Sequence, residues 1–130
     1  VRKDDFAHLD EIYHRWSPTW DYPPEELAPL KACFAEPGVV EAALGYYRDF
    51  VRGALGKAGK DARRLVNRRC SVPSLAIGGS DDPTVSEADF ARAEKAYTAD
   101  YRYVMMPGGH FVHREAPDAF VKETVSFLTA

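Results

Sequence analysis

The feature that most limits how this chain can fold is a change in the period of its apolar residues just after Cys70. Up to about Leu55 the large apolar residues recur at helical spacing. From Val72 they come in short blocks bounded by breakers. Val72-Pro-Ser-Leu-Ala-Ile-Gly78 reads as a buried strand, with Pro73 at its beginning, where a missing donor costs least. Gly79-Ser-Asp-Asp-Pro83 is a turn, and Ser86 can cap a helix to about Tyr97, with Phe90, Ala93 and Tyr97 inward. Tyr101-Arg-Tyr-Val-Met-Met106 is a second strand, stopped by Pro107-Gly-Gly109. Pro117 opens a last helix in which Phe120, Val121, Thr124, Val125 and Leu128 share a face. Strand, helix, strand and helix at this spacing imply two parallel strands joined by a right-handed crossover. Parallel sheets are covered on both faces, so two strands alone leave edges and faces unsatisfied; further strands must come from elsewhere.

The first half reads as helical. Asp4 and Asp5 can cap a helix carrying Phe6, Leu9, Ile12, Tyr13 and Trp16, which should stop before Ser17-Pro18. Ser17 to Pro24 is a loop bearing Trp20 and Tyr22. A second helix starts around Pro24 to Leu27, with Pro29 awkward in its first turn, and ends at Glu36-Pro37-Gly38. A third, from Gly38 to Leu55, gathers Val39, Val40, Ala43, Leu44, Tyr47, Val51 and Leu55 on one broad face. Gly56 to Asp61 is polar and contains glycine, so a linker is expected there.

Composition removes several function classes. At 130 residues and 45% hydrophobic the chain can bury one modest core. A net charge of −3, with basic residues interspersed except from Arg63-Arg64 to Arg68-Arg69, argues against a nucleic-acid partner; that run reads as a solvated helix face. Cys33 and Cys70 have neither metal spacing nor a disulfide framework, which fits a reducing, cytoplasmic setting. No apolar run approaches membrane-spanning length, so no membrane partner is expected. The chain opens at Val1, without an initiator Met, as a fragment or processed chain would.

In an open parallel sheet, functional groups collect beyond the carboxyl ends of the strands. Asp81 and Asp82 follow the first strand, and His110 follows the second. Adjacent strands are about 4.8 Å apart, so these loops can bring a carboxylate to the imidazole Nδ1–H. That would leave Nε2 free to take a proton. Gly108-Gly109 permits the tight or left-handed turn that swings the ring over the sheet edge. A metal site through His110, His113 and the aspartates is disfavoured, since no helix puts the two histidines on one side. His113 and Glu115 read as surface residues, and no cofactor is implied.

Leu75-Ala-Ile-Gly-Gly79-Ser-Asp-Asp82-Pro, then Pro107-Gly-Gly-His110-Phe-Val-His-Arg-Glu115-Ala-Pro117 and an amphipathic helix, resemble the C-terminal part of an α/β-hydrolase of the epoxide hydrolase and haloalkane dehalogenase branch. The resemblance implies an α/β fold in which residues 1–60 form a helical cap segment with linker and residues 61–130 a C-terminal β-α-β-α segment of the core sheet. It selects Asp82 over Asp81 as the acid and His110 as the histidine, in the acid-then-histidine order of that fold. Ala43-Leu-Gly-Tyr-Tyr47-Arg48 is similar to the cap motif in which a tyrosine hydrogen-bonds the epoxide oxygen, and Tyr47 matches it. Helix packing alone also accounts for Tyr46 and Tyr47.

The departure from the family is the nucleophile. No Ser or Asp of the chain sits in a Gly-x-Ser-x-Gly or Gly-x-Asp-x-Gly elbow. The expected activity is therefore that of a larger assembly: an N-terminal half supplies the nucleophile, an apolar substrate is enclosed by aromatics such as Trp16, Trp20 and Tyr46, and the chain alone is inactive. A serine esterase or C–C hydrolase would use the same Asp82 and His110. A non-catalytic ligand receptor on the same scaffold is the alternative outside enzymes.

Overall fold

The computed structural model describes residues 4–54, 57–66 and 68–130. They divide into two units: Val1–Asp10 with Tyr22–Arg68, and Glu11–Asp21 with Arg69–Ala130. Residues 11–21 thus go with the strands, although they precede them by some fifty positions in the chain.

The first unit is helical. Helix α1 (Ala7–Trp16) contributes its opening residues to it. Ahead of the helix, Asp4, Asp5 and Phe6 all have positive φ, and the Asp4 carbonyl accepts the Ala7 N–H at 3.0 Å. The helix therefore starts from a left-handed turn, tolerable for aspartates, with Phe6 buried at its end. A 3-10 turn (Pro24–Leu27) leads into α2 (Ala28–Ala35). Pro29 falls in the first turn of α2, where its missing N–H has no intrahelical acceptor to lose. Phe6, Leu9 and Val40 form the core of this unit, with Leu30 and Phe34 packed against it. Phe34 meets the Phe6 ring edge-on, and Lys31 pairs with Asp10 at 2.8 Å.

Helix α3 (Val39–Ala54) buries less than its sequence implied. Val40 is buried and Ala43 half-buried, but Leu44, Tyr47 and Val51 are exposed together with Tyr46 and Phe50. Leu55 and Gly56 lie outside the described residues. The expected linker over Gly56–Asp61 is overturned from Lys57 onward, where α4 (Lys57–Val66) begins. Lys, Ala, Asp and Arg there are compatible with helix, and the one interior glycine, Gly59, costs only about 1 kcal/mol relative to alanine.

The second unit holds the sheet. Strands β1 (Ser74–Gly79) and β2 (Tyr101–Met106) pair in parallel, Ser74 opposite Tyr101 through Gly79 opposite Met106. This is the α/β arrangement that the change of period implied. Between them α5 (Glu87–Ala93) continues as a 3-10 turn (Glu94–Ala96). The Asp89 carboxylate accepts from both the N–H and the hydroxyl of Ser86, which fixes the start of α5. The Phe90 ring lies against Gly78, where a Cβ would collide with it, and stacks on Tyr103.

After β2 comes a helical turn, α6 (Val112–Glu115), which the sequence reading had not foreseen, and then α7 (Pro117–Leu128). The anticipated face of α7 splits. Phe120 and Thr124 are half-buried along with Phe127, whereas Val121, Val125 and Leu128 are exposed. Arg102 of β2 pairs with Glu123 of α7 at 3.1 Å. Among the described residues no helix is long and apolar enough to cross a membrane.

Candidate active site

The equal register of β1 and β2 ends both strands at one level, Gly79 beside Met106, so their following loops leave the sheet side by side. The Asp81 N–H donates to the Gly108 carbonyl at 2.8 Å, and the Ser80 N–H to Met106 at 2.8 Å. These bonds stitch one loop to the other. Gly79 needs its hydrogen side chain, because a Cβ would fall on the Gly108 and Gly109 carbonyl oxygens.

Asp82 Oδ2 lies 2.9 Å from His110 Nδ1. Asp81 does something else: its carboxylate accepts from Ser80 Oγ and Gly108 N, both at 3.4 Å. Asp82 Oδ1 accepts the N–H and the hydroxyl of Thr84, each at 2.7 Å, and the Val85 N–H at 3.4 Å. Thr84 Oγ1 is also 3.0 Å from His110 Nδ1. With its own proton directed to Asp82, the hydroxyl offers a lone pair to Nδ1. Both neighbours of Nδ1 then act as acceptors, which places the ring proton on Nδ1 and leaves Nε2 with its lone pair.

Burial pushes the Asp82 carboxyl up, but the Thr84 hydroxyl, the Thr84 N–H and His110 outweigh it, and the net shift is below the ordinary carboxylate range. The Asp82 side chain is only 6% exposed and that of His110 35%. An ionised, nearly enclosed carboxylate thus faces an imidazole whose far side remains open. Such a pair can take a proton at Nε2 while the carboxylate stabilises the resulting imidazolium.

The wall beside the imidazole is aromatic. Trp16 meets the His110 ring edge-on at 5.0 Å, Phe111 stacks on Tyr13 at 4.1 Å, and Trp20 lies 6.0 Å from Phe111. Trp16 and Trp20, expected near an apolar substrate, therefore belong to the same cluster as His110. Tyr47 lies on α3 in the first unit, 66% exposed and edge-on to the Tyr46 ring.

Two expectations for the loop after His110 need correction. Glu115 is no solvated surface residue: it is half-buried and accepts hydrogen bonds from Gly109 N and Ser17 Oγ. His113 does sit on a helical turn, α6, so the absence of a helix cannot be the argument against a metal. His113 is exposed and packs near Phe120 instead. Among the described residues no group of three or more His, Cys, Asp or Glu is arranged to hold a metal ion.

Thr84, Ser17 and Glu115 were missed as members of this site. Thr84 had a local signal, since Asp-Pro-Thr is a sequence in which an aspartate accepts the N–H two residues on. Ser17 had none, being 94 residues from the Phe111 N–H that it accepts. A concavity of about 730 Å³ lined by Arg69, Glu94, Lys95, Tyr97 and Tyr101 lies where β2 begins, at the strand end opposite to His110.

No family model matches the chain. Over 87 residues, 66% of its length, the chain is 32% identical to Epoxide hydrolase A of Mycobacterium tuberculosis (strain ATCC 25618 / H37Rv). The match takes in 26% of that protein, so the chain spans about a quarter of the length of the curated relative it matches. This similarity supports an epoxide hydrolase-like relationship for a chain whose β1 and β2 pair in parallel and whose Asp82 and His110 meet beyond them.

Proposed function

We propose that this chain carries the acid and the histidine of an α/β-hydrolase that acts through an alkyl–enzyme ester, as an epoxide hydrolase does. The observation that carries the reading is the 2.9 Å approach of Asp82 Oδ2 to His110 Nδ1 beyond the carboxyl ends of two parallel strands. The 32% identity to a protein named an epoxide hydrolase supports it. The nucleophile is an aspartate supplied by a part of the protein outside these 130 residues, which hold no nucleophile elbow.

The nucleophilic carboxylate attacks an epoxide carbon. One C–O bond of the ring breaks and an ester C–O bond forms, while the Tyr47 hydroxyl hydrogen-bonds the departing oxygen. On a haloalkane the same attack expels halide. His110 Nε2 then takes a proton from water, and the hydroxide adds to the ester carbonyl. Collapse of that adduct breaks the bond between the carbonyl carbon and the substrate oxygen, which takes the proton held by His110. The carboxylic acid so formed gives up the proton that came with the hydroxide, which goes to the oxygen freed in the first step, and diol and carboxylate result. Asp82 stays ionised throughout and steadies the imidazolium. The aromatics Trp16, Trp20 and Phe111 make an apolar wall that favours an apolar substrate and keeps bulk water away from the ester.

In the complete protein, His110→Gln blocks only the second step. The ester should accumulate to one substrate equivalent, visible as an added mass on the intact protein, while steady-state turnover disappears. Undiminished turnover in that variant, or hydrolysis by the 130-residue chain alone, would overturn the assignment.

A further inference from the structure

We infer that Glu115 and Ser17 are positioning residues for His110, acting on the backbone of the turn that carries it. The inference rests on the reading of His110 as the base, although its structural part can be measured without any reaction.

Three successive N–H groups of the turn are bound by three different partners. Both carboxylate oxygens of Glu115 accept the Gly109 N–H, at 2.9 and 3.0 Å. The Trp16 carbonyl accepts the His110 N–H at 2.9 Å. Ser17 Oγ accepts the Phe111 N–H at 3.1 Å and donates its own proton to Glu115 Oε1 at 2.7 Å. Glu115 and Ser17 therefore form one unit that closes on both sides of His110. Trp16 fits between them because it ends α1, where a carbonyl has no intrahelical donor.

The arrangement leaves no slack. Ser17 is 0% exposed, so its hydroxyl is cut off from bulk solvent. Gly108 has φ +132°, a conformation that L side chains rarely adopt, and a Cβ on Gly109 would lie 2.5 Å from Ser17 Cα. The turn is thus held by its glycines against the end of α1 and locked there by a carboxylate that three donors share, Thr19 Oγ1 being the third at a longer 3.4 Å. These hydrogen bonds run to the turn and to one another, and reach Asp82 through the imidazole. They set where the imidazole starts from, and hence whether Nδ1 arrives at Asp82 in hydrogen-bonding geometry.

An amide at position 115 cannot do the same work. With its oxygen in the place of Oε1 it can accept from Gly109 N–H and Ser17 Oγ, but its NH2 then takes the place of Oε2, 3.0 Å from the Gly109 nitrogen, donor against donor. With the amide turned round, the NH2 faces Ser17 Oγ, whose proton loses its acceptor.

The test is the ring proton of His110 in the complete protein labelled with ¹⁵N-histidine. A downfield Nδ1–H resonance that vanishes in Asp82→Asn identifies it. In Glu115→Gln and in Ser17→Ala this proton should shift upfield and exchange with water about tenfold faster, the scale of one lost hydrogen bond, with the helical circular dichroism retained. Arg102→Ala, which breaks an ion pair in the same unit, should leave it in place. Should Glu115→Gln fail to fold, Ser17→Ala decides alone. A ring proton unmoved in the variants that fold, or moved as much by Arg102→Ala, would overturn the inference. In the complete protein kcat should fall about tenfold with kcat/KM unchanged, because only hydrolysis of the ester is slowed. A wild-type protein that hydrolyses nothing would sink the hydrolase reading and leave the resonance experiment standing.

Discussion

The turn after β2 and helix α3 both carry residues that the sequence marked for catalysis, and they are built in opposite ways. Around His110 each loop N–H from Gly108 to Phe111 has an acceptor, supplied by Asp81, Glu115, Trp16 and Ser17. Along α3, Leu44, Tyr46, Tyr47, Phe50 and Val51 lie on the surface. The first region takes its geometry from polar bonds between residues far apart in the chain. The second takes it from the helix ladder. A single atom added to the first should therefore have large consequences, and the same atom added to the second should have small ones.

Gly109→Ala is the strongest way to break that comparison. Its Cβ meets Ser17 Cα at 2.5 Å, Ser17 Oγ at 2.7 Å and the Trp16 carbonyl at 2.8 Å. Much of that is backbone, which cannot rotate away. A loss of about 3 kcal/mol is expected, the upper range for overpacking, read as a lower urea midpoint for the second unit. A variant as stable as the parent would show that the turn is not pressed against the end of α1.

Gly45→Ala and Gly53→Ala apply the same chemistry to α3. Neither added Cβ meets any atom within 4 Å, and both positions lie inside the helix. Here alanine should stabilise by about 0.5–1 kcal/mol, because glycine loses more backbone entropy on folding. Opposite signs for Gly→Ala in the two regions would sharpen the contrast; equal signs would erase it.

The same contrast explains what could be read from the sequence. Both strands, the helices that follow them and the approach of the two loops were legible, because short apolar blocks bounded by Gly and Pro give local signals and parallel register places successive loops together. The choice of Asp82 over Asp81 came from the resemblance to the hydrolases. Helix α4 was hidden by reading Lys57 to Asp61 as polar linker, although polarity does not oppose helix formation. The faces of α3 and α7 were assigned from spacing, which says that residues share a side and nothing about what covers them. Glu115 and Ser17 were illegible for another reason. The Ser17 bonds to Phe111 and Glu115 depend on the end of α1 arriving from more than ninety residues away, and no local pattern in Trp16-Ser17-Pro18 records that. Glu115 accepts from Gly109 only six residues away, but the sequence does not tell such a carboxylate from a solvated one.

Thr84→Val tests the polar side of the comparison with the smallest change. The folded-state pKa of Asp82 lies below its ordinary value near 3.8, against a burial effect of opposite sign, and the Thr84 hydroxyl is foremost among the causes that lower it. A depressed carboxylate contributes stability that is fully present above the unfolded pKa and lost as pH falls through the folded one. Valine keeps the N–H to Asp82 Oδ1 and removes the hydroxyl, so the depression shrinks without vanishing. The variant should be less stable than the parent by about 1 kcal/mol at pH 7. That gap should narrow as the pH falls below about 4, because protonated Asp82 no longer rewards the extra donor. Urea midpoints of both proteins between pH 7 and pH 2 measure this directly. A gap that stays constant to pH 2 would mean that the hydroxyl supports the loop by itself, independently of the Asp82 charge, and that Thr84 shapes the turn without tuning the carboxylate that faces His110.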